Sequence, residues 1–318
     1  MARCPLAELC ITGLGTYLPE RLVTNLELPP LEPPHTLADM DKVGVRARGI
    51  ASDSEDVLHM AVQAANRALY QASASADALD FVILANWSER RYVPDFAPRV
   101  QHALGARRAF AFDVGCACAG FLYGLTLAHG YLQNPRFARG LVLASDRSTR
   151  RMRPKSRATL VFGDAAAAMV VERDAARGSR LVDYELRTDG SHNDIMDVDA
   201  DRYLNPKIKQ RELNQLAGRS LADVSRALLE RNGLTLADVA WILPHSGTAG
   251  VQAMLAEHLG TPPEKTLTTL ADVGNLAAAS IPVSLEHFTK LGKLKTGDRV
   301  LSAAVGLGWQ YCAVLYTI

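Results

Sequence analysis

Residues 79–88 read Leu79-Asp80-Phe81-Val82-Ile83-Leu84-Ala85-Asn86-Trp87-Ser88, and residues 239–247 read Val239-Ala240-Trp241-Ile242-Leu243-Pro244-His245-Ser246-Gly247. Each is a short apolar run that breaks into polar residues. A run of that length bounded by turn formers reads as a buried strand. In both places a helix-period stretch feeds the strand and another helix follows. The two halves therefore rhyme, as an internal duplication would. Strands alternating with helices imply an α/β protein with helices packed on the faces of its sheets.

Working outward, Asp56 to Gln71 has helical periodicity in Val57, Met60, Ala61, Ala64, Ala65, Ala68 and Leu69. Leu6 to Tyr17 reads as a strand with a Gly-rich turn, and the proline-rich stretch Leu28 to His35 as a loop. Asp95 to Leu104 is expected to be a short helix, Phe110 to Val114 a strand, and Ala119 to Leu132 a helix. Leu141 to Ser145 and Ala165 to Val171 read as strands. In the second half, Ser220 to Asn232 and Thr248 to Leu259 read as helices, and Arg299 to Val305 and Tyr311 to Tyr316 as closing strands.

The chain has 318 residues, 48% of them hydrophobic and 22% charged, with a net charge of +1. That composition supports a sizeable core, and a length suited to about two domains or one duplicated unit. The even charge balance argues against nucleic acid as a partner. No apolar run approaches the roughly 18 residues that span a bilayer. Met1 to Cys10 carries one Arg and no long apolar core, so a secretory signal is not expected. Five cysteines, an odd number without paired CxxC spacing, point to free thiols in the cytoplasm and to no metal site.

The richest chemistry lies in Ala111-Phe112-Asp113-Val114-Gly115-Cys116-Ala117-Cys118-Ala119-Gly120-Phe121. It runs from strand through small residues into a helix. A thiol at a helix N-terminus meets backbone N–H groups and the positive end of the dipole, which favour the nucleophilic thiolate. The same N–H groups could hold the oxyanion of a thioester. Both cysteines are also suited to be small core hydrophobes, and this stretch alone leaves the two readings level. A Cys-x-Cys metal site is a weaker third. His245 ends a strand, where sites in α/β sheets collect, although a lone histidine is more often satisfied structure. Asn275 follows Gly274 in what is first of all a turn signal.

Together these stretches resemble the thiolase superfamily, and within it β-ketoacyl-acyl-carrier-protein synthase III, over nearly the whole chain. The residues that carry the resemblance are ITGLGTYLPE (11–20), GVRARGIA (44–51), ACAGF (117–121), FGDAAAAMVVE (162–172), PHSG (244–247), GNLAAASIPVSLEH (274–287) and GDRVLSAAVGLGWQYCAVL (297–315). The resemblance implies a five-layered αβαβα fold with an N-terminal half, 1–172, carrying the nucleophile, and a C-terminal half, 173–318, carrying His and Asn. It assigns the nucleophile to Cys118 rather than Cys116, completes a triad with His245 and Asn275, and places the backbone N–H groups of Cys118 and Gly306 in the oxyanion hole. Acyl-coenzyme A and acyl carrier protein become the expected partners, as thioester substrates and with no permanently bound cofactor. It also implies a homodimer whose Arg90 to Asp95 loop lies near the partner's pocket.

The chain departs from the family pattern in ways that bear on substrate. His245-Ser246-Gly247-Thr248 replaces His-Gln-Ala-Asn, so Ser246 and Thr248 would line the pantetheine tunnel differently. Ala38 stands near where a tryptophan usually stacks on adenine, and Lys42 where an arginine is common. Trp87 would restrict the acyl pocket, or else be an ordinary buried aromatic. Few residues separate Arg187–Ile195 from Leu213–Ser220, as if a cap were trimmed. The basic run Arg147, Arg150, Arg151, Arg153, Lys155 and Arg157 reads either as solvated loop or as a docking patch for donor phosphates or an acidic carrier. These departures point to a specialised pathway, of secondary metabolites or related to fatty acids. The expected reaction is a Claisen condensation, decarboxylative or not, of the acyl group on Cys118 with a malonyl- or β-ketoacyl-thioester. The alternatives are an O- or N-acyltransferase with His245 as general base, or a subunit of a heteromeric condensing enzyme.

Overall fold

The computed structural model describes residues 6–34, 36, 42–91 and 93–318. Ala38 and Cys4 lie outside the described residues. The described residues form the strands β1 (Leu9–Tyr17), β2 (Leu22–Thr24), β3 (Ala47–Gly49), β4 (Phe81–Ala85), β5 (Phe110–Val114), β6 (Arg139–Asp146), β7 (Ala165–Arg173), β8 (Ser179–Thr188), β9 (Met196–Val198), β10 (Leu204–Pro206), β11 (Trp241–Pro244), β12 (Arg299–Gly306) and β13 (Gln310–Thr317). The α-helices are α1 (Val57–Ala72), α2 (Ala97–Leu104), α3 (Gly120–Leu132), α4 (Gln210–Arg231), α5 (Ala249–Leu259), the single turn α6 (Leu270–Val273) and α7 (Ser280–Lys290).

Nine strands are hydrogen-bonded in the order β11-β12-β13-β8-β1-β7-β6-β4-β5. The link between the two groups of strands is thin: β1 meets β8 only at Cys10–Arg180 and Ile11–Ser179. β4 runs parallel to both β5 and β6, and β11 parallel to β12.

The alternation of side chains along the strands sorts the core into layers. Phe81, Ile83 and Ala85 of β4 join Val142 and Ala144 of β6 in packing against α3 and α7, and the same cluster holds Val300 and Ala304 of β12 and Cys312 and Val314 of β13. Val82, Leu84, Leu141 and Leu143 turn the other way, onto α1 and α2. Leu301, Ala303, Ala313 and Leu315 turn onto α4 and α5. The order is therefore helices, sheet, the shared pair α3 and α7, sheet, helices: the five-layered thiolase-like arrangement. With both faces covered, β4 reads as a continuous apolar run rather than an alternating one.

Two local expectations are corrected. Gly13 and Gly15 lie inside β1 and make no turn. A Cβ on them would come within 2.1 Å of the Ala68 carbonyl and 2.4 Å of the Ala64 carbonyl, so their bare backbone lets α1 sit directly on the strand. Helix α4 begins ten residues earlier than the sequence reading placed it, at Gln210.

The strands β5 and β11 deliver the site. Each runs out into a loop beside a short turn that precedes a middle-layer helix. The 3₁₀ turn Ala117–Ala119 leads into α3, and Ala277–Ala279 leads into α7. Both turns open on an alanine in the left-handed region, Ala117 at φ 43° and Ala277 at φ 49°. A non-glycine residue is held there only by its surroundings. The two turns are the same device used twice, with Cys118 in one and Ala278 in the other.

Candidate active site

Cys118, His245, Asn275, Gly306, Trp87, Lys42, Arg157 and Thr248 all line one cavity of about 370 Å³. Ser246 does not line it. Its side chain is fully buried and its Oγ has no hydrogen-bond partner among the described residues, so the proposed tunnel contact is withdrawn. Val161, Phe162, Leu213, Leu307 and Trp309 give the cavity apolar walls.

Cys118 is half-buried and opens onto the cavity. Burial pushes its thiol up to about 12, the charge of Asp146 pushes the same way, and a backbone N–H opposes both. Desolvation thus outweighs the backbone N–H that favours a thiolate. At neutral pH the free site holds a thiol. Asp146 ends β6 and is itself buried. One oxygen accepts the backbone N–H groups of Trp87 and Ser88, at 2.9 Å each, while the other has no partner among the described residues. Burial raises this carboxyl to about 7, and Asp164 adds to the effect.

His245 extends β11 by one residue, its N–H donating to the Ala303 carbonyl at 2.8 Å. The side chain is 4% exposed. Burial pushes its pKa down to about 4, with the backbone of Ala277 pulling the other way. The imidazole is therefore neutral across the physiological range.

Asn275 is 4% exposed and pinned at its backbone. Its N–H donates to the Val161 carbonyl at 2.8 Å, and its carbonyl accepts from Gly163 at 3.0 Å. Its Oδ1 accepts the Ala277 N–H at 2.9 Å. The atom left for a ligand is the Nδ2 donor. Gly306 closes β12 against the nucleophile turn: a Cβ there would lie 2.2 Å from the Cys116 carbonyl oxygen and 3.2 Å from the Ala119 nitrogen. Only glycine lets the backbone of β12 come that close.

The basic run divides. Arg157 lines the cavity. Arg153 pairs with Asp199 at 2.6 Å, and Lys155 with Glu32 at 2.8 Å. Arg147, Arg150 and Arg151 turn into a second cavity. The run is not one docking patch, because acidic neighbours and the turns Ser148–Arg151 and Arg157–Leu160 send its charges in three directions.

Sequence reasoning read the segment between Ile195 and Leu213 as a trimmed cap, and missed both what that segment supplies to the cavity and one buried acid. The first two turns of α4 supply Gln210, Leu213, Asn214 and Ala217 to the cavity, and the β9–β10 hairpin supplies Met196, Leu204 and Pro206. The spacing Leu213, Leu216, Ala217 continues the helical period of α4 and could have found the first. Asp146, at the C-terminal end of a buried strand, carried the same positional signal as His245.

Among the described residues no helix is long and apolar enough to cross a membrane. The family profile for 3-oxoacyl-[acyl-carrier-protein (ACP)] synthase III matches residues 112–190, and the profile for its C-terminal region matches residues 229–318. The β-ketoacyl-[acyl-carrier-protein] synthase III of Aquifex aeolicus (strain VF5) is 34% identical over 306 residues, covering 96% of this chain and 98% of the relative. A crystal structure of 3-oxoacyl-[acyl-carrier-protein] synthase III from Aquifex aeolicus VF5 superposes with a TM-score of 0.90 at 33% identity, over 98% of this chain and 100% of that one. The priming β-ketosynthase from the R1128 polyketide biosynthetic pathway superposes at 0.89 with 25% identity, over 99% and 98% of the two chains. The chain belongs to the β-ketoacyl-acyl-carrier-protein synthase III family, condensing enzymes of the acyltransferase class with a thiolase-like fold.

Proposed function

We propose that Cys118 accepts an acyl group from a coenzyme A or carrier-protein thioester and passes it to the carbanion of a malonyl-type thioester. In the first step the Cys118 sulfur attacks the donor carbonyl, the N–H groups of Cys118 and Gly306 hold the oxyanion, and the donor thiol leaves with the proton of Cys118. In the second, the extender loses carbon dioxide. The electrons of the broken bond become an enolate whose oxygen is held by His245 and by Asn275 Nδ2. The enolate carbon then attacks the acyl carbonyl, and collapse of the tetrahedral adduct frees the Cys118 thiolate, which takes a proton from solvent. Neutral donors suit this step, because charge develops on the substrate oxygen while neither donor changes its protonation state.

The observation that carries this reading is the pairing of a neutral imidazole with a carboxamide whose oxygen is already committed, both in the cavity of the cysteine. Intact-protein mass spectrometry with a panel of acyl thioesters tests it. The wild-type protein should gain one acyl mass, Cys118→Ala none, and Asn275→Ala should load normally but form little β-ketoacyl product when malonyl-carrier protein is added. Loading that persists in Cys118→Ala, or transfer to alcohols or amines that Asn275→Ala leaves intact, would overturn it.

The same reading places the chain in the cytoplasm, divides it near residue 172 into two halves, and makes it a homodimer. Support for the dimer comes from β5, an edge strand whose first residue, Phe110, is 36% exposed and stacks on Phe112 at 6.3 Å. An exposed aromatic edge is a surface that soluble proteins cover. Light scattering that finds only monomers would remove this part.

A further inference from the structure

A second cavity, of about 510 Å³, is lined by Glu89, Arg90, Arg91, Arg147, Arg150, Arg151 and Arg202. Six guanidinium groups face one carboxylate. They come from three separate segments: the loop after β4, the loop after β6, and the turn of the β9–β10 hairpin. Such convergence is costly unless something negative fills the space.

The protein supplies little of that charge. Glu89 is taken by Arg147 at 2.5 Å. Arg150 pairs with Asp53, whose side chain is 93% exposed. Within one chain, among the described residues, Arg90, Arg91, Arg151 and Arg202 have no salt-bridge partner, although the charge of Arg90 acts on Asp113. Arg151 is held by its Nε to the Ser88 carbonyl, and the one carboxylate that acts on it, Glu89, is already paired with Arg147. Burial first, then the charge of Arg202, hold Arg151 below the usual guanidinium range; Glu89 opposes this and Arg147 adds to it.

We propose that this cavity is a binding site for an oligophosphate anion, separate from the cavity that contains Cys118. Guanidinium forks match phosphate oxygens in pairs. Several forks around one small volume ask for clustered anionic groups rather than a single carboxylate. The volume exceeds what one phosphate fills. The inference does not depend on the condensation chemistry, since none of its residues lines the catalytic cavity. The two sites do share the β9–β10 hairpin: Met196 and Leu204 face the catalytic cavity, and Arg202 the basic one.

The anion could be a free oligophosphate or the phosphate-bearing end of a coenzyme A donor, and the experiment separates them. Sodium tripolyphosphate is titrated into the full chain by calorimetry at 50 mM and 200 mM salt. The wild-type protein should bind about one equivalent per chain, at least tenfold more weakly at the higher salt. Arg91→Ala/Arg202→Ala, which removes two exposed side chains, and Arg90→Ala/Arg151→Ala/Arg202→Ala should each lose at least tenfold in affinity. Arg107→Ala, at a distant Asp77 ion pair, should lose none. If the variants also raise the KM for acyl-coenzyme A loading, the phosphates belong to the donor. If loading is unchanged while tripolyphosphate binding is lost, the ligand is a free oligophosphate. The proposal fails if the wild-type protein binds no tripolyphosphate, or if both variants bind it as tightly as wild type. It fails equally if wild type does not bind and Arg91→Ala/Arg202→Ala shifts the oligomeric mass, for then acidic side chains of a second copy fill the cavity.

Discussion

Asn275 Oδ1 accepts the backbone N–H of Ala277 at 2.9 Å, and this one bond decides which end of the carboxamide a substrate meets. The oxygen is held, so the amide nitrogen donates. Asn275→Asp keeps the bond to Ala277 but presents a second oxygen where the donor was. An ionised carboxylate there repels the enolate. Condensation by Asn275→Asp is expected to fall by about 10²–10³, as for loss of an oxyanion donor, while acyl loading of Cys118 persists. Single-turnover loading and steady-state condensation, measured side by side, check this. Equal losses in both would show that Asn275 only shapes the cavity.

Asp146 burdens Cys118 electrostatically, and its removal should be visible as a change with pH. Burial raises the Asp146 carboxyl to about 7 from an ordinary 3.8. Between these values the folded protein holds a proton that the unfolded chain has released, so this residue's contribution to stability falls as pH rises from about 4 to 7. His245, pushed down to about 4, acts oppositely: the unfolded chain takes up a proton first, and stability is lost as pH drops below 6.5. Asp146→Asn keeps an oxygen for the Trp87 and Ser88 N–H groups and removes the charge. The variant should gain on wild type as pH rises from 5 to 8, by an amount on the order of a few kcal/mol, read from urea midpoints. Its Cys118 should also react with iodoacetamide at lower pH than in wild type. A stability difference that does not change between pH 5 and 8, with an unshifted alkylation profile, would refute the role.

How much of this was readable beforehand depended on what each residue's signal was made of. β4 and β5 were legible to the residue, because a continuous apolar run and a following small-residue turn are local facts. β8 was not. Its Arg180, Asp183, Glu185 and Arg187 look like a loop, yet it pairs with β13 through most of its length, and Arg231 at the far end of α4 meets Asp183 at 2.9 Å and pairs with Glu185. α7 was hidden by Pro282, which is compatible with the first turn of a helix but reads as a breaker. Cys118, His245 and Asn275 stood out by residue type and by likeness to a family, and all three reach one cavity. The ionisation of the thiol was misjudged for a physical reason. A helix end is visible in sequence, whereas burial by β12, which comes from the far end of the chain, is not.

Trp87 shares the catalytic cavity with Phe162, their ring centroids 6.4 Å apart. Its backbone N–H is anchored to Asp146, so shortening the side chain leaves the loop in place. Trp87→Ala opens apolar room and should shift preference toward acyl chains several carbons longer. The ring is only half-buried, so the stability cost should fall below the roughly 3–5 kcal/mol of a full aromatic deletion. Competition between short and long acyl thioesters, read by intact mass, measures the shift. Unchanged selectivity would return Trp87 to the status of ordinary packing.

Gly306 offers the strictest test of the acylation geometry. The Cys116 carbonyl that a Cβ would strike at 2.2 Å also accepts the Ala119 N–H at 3.0 Å, the bond that closes the nucleophile turn. Gly306→Ala must therefore move either β12 or that turn. Both carry N–H groups assigned to the oxyanion, so loading of Cys118 should drop by about 10² or more, with a lower melting temperature. A general sensitivity to glycine replacement is excluded by Gly130→Ala. That position lies in α3 with nothing within 4 Å of an added Cβ, and alanine there should stabilise by about 0.5–1 kcal/mol without changing loading. Should Gly306→Ala load at the wild-type rate, the strand and the turn yield more than their spacing implies, and the oxyanion hole must be built elsewhere.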